Sequence, residues 1–129
     1  MSVNRALIIA SPYIERILSG AKTWEMRSTA TKLRGRIGLV RKGSGMIMAT
    51  ANLVDSIGPL TQDQMLAHAD RHRVESERIL SGAVDKWKFA WVLNGVQVLQ
   101  RPVPYAHPAG AVIWVALDDR AQTILAEAA

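Results

Sequence analysis

The chain has no cysteine in its 129 residues. That excludes disulfides, thiol nucleophiles and thiolate metal sites, and it agrees with a reducing compartment. Long hydrophobic runs are missing as well. The longest, Ala6 to Ala10 and Ala111 to Leu117, fall far short of the ~20 residues that cross a bilayer as a helix. Near the N-terminus a single Arg5 precedes a short apolar run that meets Pro12, which leaves no room for the apolar region of a secretory signal. The expectation is a cytoplasmic protein with no membrane segment. No internal repeat, low-complexity tract or linker breaks the sequence, so residues 1–129 read as one domain with no evident obligate protein partner. Acidic residues are in short supply: 11 Asp and Glu stand against 16 Lys and Arg, a net charge of +5. Such a balance favours an anionic partner, with nucleic acid the commonest for a small basic domain, against the plainer reading of excess solvated charge.

Hydrophobic residues make up 49% of the chain, enough for one core, and their spacing divides it into short elements. Arg5 to Ala10 reads as a buried strand, rich in β-branched residues. Ser11 and Pro12 open a helix as cap and first residue, with Tyr13, Ile14, Ile17 and Leu18 on its apolar face and Gly20 at its end. Arg34 to Val40 and Met46 to Val54 read as a hairpin around the turn Arg41 to Gly45. Asp55 to Pro59 breaks the pattern. Thr61 caps a helix reaching about Arg71, and Val74 to Leu80 forms a second short helix. This polar insert reads as a flap beside the core. Lys86 to Leu93 returns to alternation, and Asn94-Gly95 predicts a tight turn into a strand from Val96 to Leu99. Pro102, Pro104 and Pro108 exclude a central strand from Arg101 to Ala109. Ala111 to Leu117 is too continuous for a half-exposed strand and is expected to be buried. Asp118 and Asp119 cap a final helix. These elements predict an α+β fold, a small mixed sheet of about six strands closing toward a β-barrel, with short flanking helices and a helical insert.

Chemistry is densest in Gly20-Ala21-Lys22-Thr23-Trp24-Glu25-Met26-Arg27. Strand alternation puts Thr23, Glu25 and Arg27 on one face and Trp24 and Met26 on the other. Gly20 lets Lys22 lie on the turn into the strand and swing toward the polar side. Lys22, Glu25 and Arg27 then line one site. A lysine facing a carboxylate can hold it as a base for water, with Thr23 the nearest hydroxyl, or the three can form an ion-pair network bracing the fold. Arg27, Arg34, Arg36, Arg41 and Lys42 are candidates to track phosphates, the last four as one basic rim. Trp24 is a candidate to stack on a base, with core packing as its competing role. Trp87, Trp91 and Trp114 read as core. Tyr13 is placed to present its hydroxyl to the site, and His107 sits in a proline-stiffened loop before the last strand. His68 and His72 are four residues apart on a helix without a third ligand, so they read as exposed histidines and no metal site is expected. No cofactor is implied.

In order along the chain, Ser11-Pro12-Tyr13, the Gly-x-Lys-Thr-x-Glu-x-Arg segment, Arg34-Gly35-Arg36, Ala49 to Asp55 and His107 to Trp114 resemble the ASCH (activating signal cointegrator homology) domains. That family shares the fold of the PUA RNA-binding domains. The resemblance implies a PUA-like barrel whose cleft accepts RNA or a nucleobase. Members of the family include metal-independent hydrolases of the N4-acetylcytidine amide and a ribonuclease. The amidohydrolase branch is similar in a Lys-Thr-x-Thr-x-Arg motif, with a glutamate on the later insert. Lys22 matches its lysine. The branch's nucleophilic threonine corresponds to Glu25, and its insert glutamate falls near Arg71 to Arg73, with Glu75 a loose substitute. The expectation is a protein that binds RNA or a modified nucleoside and acts on N4-acylated cytidine. Its rivals are a non-catalytic RNA-binding module and a ribonuclease for single-stranded RNA.

Overall fold

The computed structural model describes residues 2–128. Six strands form one sheet: β1 (Arg5–Ile9), β2 (Trp24–Arg27), β3 (Gly35–Arg41), β4 (Met46–Ile57), β5 (Phe89–Pro104) and β6 (Trp114–Ala116). Their spatial order is β2-β5-β4-β3-β1-β6. Only β1 and β3 pair in parallel, the connection between them passing through helix α1 (Tyr13–Leu18) and β2. A flat sheet with strands ~4.8 Å apart would put β1 about 19 Å from β2. Yet the Arg27 guanidinium on β2 donates to the Ile8 carbonyl on β1 at 2.7 Å. The sheet is therefore curled into a half-barrel, and Arg27 spans its open seam.

Alternation along the strands sorts the core into two faces. Leu7, Ile9, Ile37, Leu39, Leu53, Trp91 and Leu93 pack with Ile14 and Ile17 of α1. Ala6, Ile8, Val40, Ile47, Val103 and Val115 pack with Ala121 and Leu125 of α5 (Asp119–Ala128). The insert between β4 and β5 adds α2 (Gln62–Ala67), α3 (Ala69–His72) and α4 (Ser76–Leu80). It is more than a flap. Leu60, Met65, Val74, Ile79 and Val84 enclose Trp24 and Ala90 in a third apolar cluster, so the insert is fixed by burial as the rest of the core is. Thr61 starts it with the expected capping box, its side chain accepting from the Gln64 amide while Gln64 reaches back.

Several sequence expectations change. Asn94-Gly95 makes no hairpin: β5 runs straight through it, pairing Asn52 with Asn94 and Thr50 with Gln97 across a register shift. Gly95 takes a φ of +59° because a bulge, like a turn, needs a left-handed residue. Asn52 Nδ2 on Asn94 Oδ1 at 3.0 Å and Arg36 on the Gly95 carbonyl at 2.7 Å seal it. Pro102 and Pro104 lie within β5 rather than ending it. β2 pairs only with Phe89 to Val92, so this later part of β5 has one free edge, where an absent N–H costs nothing. Of the run Ala111 to Leu117, only Trp114–Ala116 is strand. Val112 and Ile113 are 74% and 44% exposed. β4 carries past Asp55 to Ile57. Ser11 does not cap α1; its hydroxyl bonds the Glu15 carboxylate, and Pro12 holds the cap position.

Candidate functional site

Gly20, at a φ of +86°, ends α1 and turns the chain so that β2 begins only at Trp24. Lys22 lies in the bend and points inward, as the turn geometry predicts. Backbone bonds fix the bend on both sides: the Lys22 amide on the Arg16 carbonyl at 3.0 Å and the Thr23 amide on the Arg71 carbonyl at 2.9 Å. Beside it opens a cleft of about 330 Å³. Tyr13, Lys22, Glu25 and Arg27 form its polar wall, and Ile8, Met26, Val74, Val84, Trp87 and Val112 its apolar one. Lys42 and Arg78 complete the lining with Ala10.

Lys22 is 1% exposed. Its Nζ donates to the His72 carbonyl at 2.7 Å and stands 3.8 Å from Glu25 Oε1, an ion pair longer than a hydrogen bond. The Tyr13 ring lies 5.6 Å away. Burial pulls the ammonium down from 10.5 to about 8, Glu25 opposes the fall, and Arg16 and Arg27 add to it. Glu25, 6% exposed, is held by Arg27 Nη2 at 2.9 Å. The Arg27 guanidinium also stacks on Trp91, 5.5 Å from its ring centre. Its Nε is buried without a partner among the described residues. One carboxylate therefore faces two cations, one of them partly destabilised in its charged form.

His72 organises this floor, and the spacing argument missed it. The helix breaks at His68, which ends α2 and precedes α3, so the two histidines do not share a face. His68 tilts against the Trp24 ring at 4.9 Å, while His72 is fully buried. Nδ1 accepts from the Val74 amide at 2.9 Å, which leaves Nε2 to carry the hydrogen toward the Met65 carbonyl at 2.6 Å. Burial lowers the His72 pKa from 6.5. Both nitrogens are thus occupied. Among the described residues no group of three metal-ligating side chains is arranged around a common point. Arg73, in the left-handed region at φ 58°, locks the insert to the motif by donating to the Ala21 carbonyl at 2.8 Å.

The other sequence candidates divide. Tyr13 lines the cleft, its hydroxyl accepting from Arg78 Nη1 at 2.7 Å. Lys42 lines it too, whereas Arg41 bonds Glu15 at 3.3 Å outside it. Arg34 turns to the Thr31 and Leu33 carbonyls and Asp55. Arg36 is committed to Gly95, Thr50 and Gln97. Strand alternation separates them: Arg36 and Arg41 are five residues apart and fall on opposite faces of β3. The single basic rim does not exist. Trp24 is core, 7% exposed in the insert cluster, and offers no stacking face. Trp87, expected in the core, is 39% exposed on the cleft wall, because β5 starts only at Phe89 and leaves it outside the pleat. Thr23 and Glu75 do not line the cleft, and the Thr23 hydroxyl is buried without a partner among the described residues. His107 is also outside. Its Nδ1 meets the Tyr105 hydroxyl and its Nε2 the Ala111 carbonyl, both at 2.9 Å, which braces the loop that brings Val112 to the wall.

The sequence model of the ASCH domain matches residues 7–101. The chain belongs to the ASCH domain family. Solved structures agree on the fold. The ASCH protein of Zymomonas mobilis superposes with a TM-score of 0.70 at 14% identity, covering 95% of this chain and 93% of that one. A tyrosine-to-phenylalanine point mutant of that protein gives 0.71 at 14% identity, with coverage of 95% and 96%. No curated protein matches the chain significantly. At this identity the likeness carries the curled sheet and flanking helices of this ASCH domain, and its chemistry rests on its own residues. No described helix is long and apolar enough to cross a membrane.

Proposed function

We propose that this ASCH domain takes an N4-acylated cytosine, free or within RNA, into the cleft and hydrolyses its amide. The observation that carries the reading is the nearly sealed Lys22–Glu25 pair on the floor of an otherwise open cleft, 3.8 Å apart. Buried opposite charges with a displaced pKa are costly to the fold and mark sites of chemistry. The cleft volume, about 330 Å³, lies at the lower end of the roughly 300–1,000 Å³ of small-molecule sites, a scale suited to a base with a short acyl group.

Glu25 takes a proton from water, and the water oxygen bonds to the acyl carbon. Lys22 spends one donor on His72 and faces Glu25 with another, which leaves a third for the developing oxyanion. The carbon–nitrogen bond then breaks, the proton on Glu25 passes to the exocyclic nitrogen, and cytosine and a carboxylic acid leave. Water is the nucleophile in this scheme because Thr23 lies outside the cleft. Arg27 at 2.9 Å from Glu25 favours a second reading, a binding module in which the carboxylate only positions the base. Incubating purified protein with N4-acetylcytidine separates the two. Acetate and cytidine are expected from the wild type and lost in Lys22→Met and Glu25→Gln. Calorimetric binding without product would establish the module, and equal turnover in both variants would remove these residues from the reaction.

A further inference from the structure

The floor of the cleft is balanced by Glu25, but its mouth is not. Lys42 and Arg78 line the same cleft, and neither enters an ion pair among the described residues. They come from different parts of the fold, Lys42 from the β3–β4 turn and Arg78 from α4 in the insert. Among the described residues Arg78 is oriented by a single side-chain bond, Nη1 to the Tyr13 hydroxyl at 2.7 Å. A guanidinium has five N–H donors, so four remain, in the fork that matches a phosphate. Because the tyrosine oxygen accepts this bond, its own hydrogen is also free to donate. The lip continues into Trp87, an indole 39% exposed at the cleft.

We infer that the mouth is a phosphate subsite: resting on the reading of the cleft as a nucleobase site, the ligand is a nucleotide whose phosphate meets Arg78, Tyr13 and Lys42. A bare nucleoside leaves two cations idle and gains only the base contacts. The phosphate has two sources, a mononucleotide or a strand. Trp87 separates them, since only a strand carries a neighbouring base to stack on the exposed indole.

The experiment is equilibrium binding by calorimetry at two salt concentrations. The probes are N4-acetylcytidine, its 5′- and 3′-monophosphates, the four ordinary nucleosides with their monophosphates, and a five-nucleotide RNA containing one N4-acetylcytidine. At least one monophosphate is expected to bind about tenfold tighter than its nucleoside, with the advantage shrinking as salt rises. Arg78→Gln should erase most of that ratio and Lys42→Gln, an exposed change that leaves the fold untouched, should erase part of it. Trp87→Ala should weaken the oligomer alone if the source is a strand, and change no ratio if it is a mononucleotide. Equal affinity for nucleosides and monophosphates, a ratio unmoved in both charge variants, or no binding by any probe overturns the subsite. Nucleosides that bind with no phosphate gain would sink the subsite and leave the cleft reading standing. Ordinary nucleotides that bind through Arg78 while the acylated base is ignored would do the reverse.

Discussion

Lys22 and Arg36 are both basic residues beside the sheet, and they have opposite surroundings. Arg36 is half-buried and spends its donors on neutral oxygens of Gly95, Thr50 and Gln97 at 2.7 to 3.2 Å. Its charge keeps contact with water, and its hydrogen bonds close the bulge in β5. Lys22 is almost wholly buried, has one neutral acceptor, and shares the Glu25 carboxylate with Arg27. Burial lowers its pKa to about 8, so the fold works against the charge it encloses. One arrangement serves the backbone; the other maintains an under-compensated charge in a cleft, which a purely structural role does not need.

The largest effect that sharpens this contrast is on turnover. Lys22→Met should lower hydrolysis of N4-acetylcytidine by about 100-fold to 1,000-fold, the usual loss for one oxyanion donor, while Arg36→Ala changes it less than about twofold. Chromatographic product analysis of the two variants side by side reads this directly. Similar losses in both would dissolve the distinction.

How much of this is legible in the sequence follows the same line. Gly20 to Arg27 is local, so strand alternation and a glycine bend are enough to bring Lys22, Glu25 and Arg27 together, but the same alternation puts Thr23 on their face, and it lies off the cleft because β2 begins only at Trp24. Tyr13 follows from its place in the first turn of a helix ending at that bend. What fails depends on distant partners. Asn94-Gly95 has the chemistry of a turn, yet β4 and Arg36 hold it inside a strand as a bulge, and nothing in the dipeptide distinguishes the two. His72 offers only helical spacing from His68, whereas its role comes from a helix break and from Met65 and Val74. Arg34, Arg36, Arg41 and Lys42 are close in sequence, which groups them in any local reading, although a pleat sends them to different faces. The start of the apolar run, Val112 and Ile113, is exposed, with Val112 on the cleft wall, which a burial rule does not foresee.

The next largest effect falls on stability through the residue that holds Lys22. His72→Ala leaves the Val74 amide unpaired, costs the Met65 carbonyl the shorter of its two bonds and empties a core position. Chemical denaturation should show a loss of about 3 kcal/mol. The wild type should also weaken in acid. The unfolded imidazole takes its proton near 6.5 and the folded one only at lower pH, so stability is complete above about 6.5 and is lost as pH falls below it. This acid dependence should be reduced in His72→Ala.

A comparable effect, of opposite location on the pH scale, belongs to Lys22 itself. Unfolded, the amine keeps its proton to 10.5; folded, to about 8. Between those values the unfolded chain binds more protons, so stability should rise with pH across that window, by about 3 kcal/mol in all. Denaturation midpoints of wild type and Lys22→Met from pH 7 to 11 test it: the rise should be missing from the variant. Arg36→Ala should cost less, about 1–2 kcal/mol, with no change in this pH dependence. The smallest effect should come from the loop brace. His107→Phe removes two exposed hydrogen bonds and is expected to cost below ~1 kcal/mol, readable as a slight fall in thermal midpoint.

The most direct test of the contrast between the two basic sites is an NMR titration of the Lys22 side-chain amine in the intact protein. An inflection near 8, moving when N4-acetylcytidine fills the cleft, is the predicted result. An ordinary lysine value near 10.5 that ignores the ligand would contradict the account, because the charge on the cleft floor would then be fully compensated and idle.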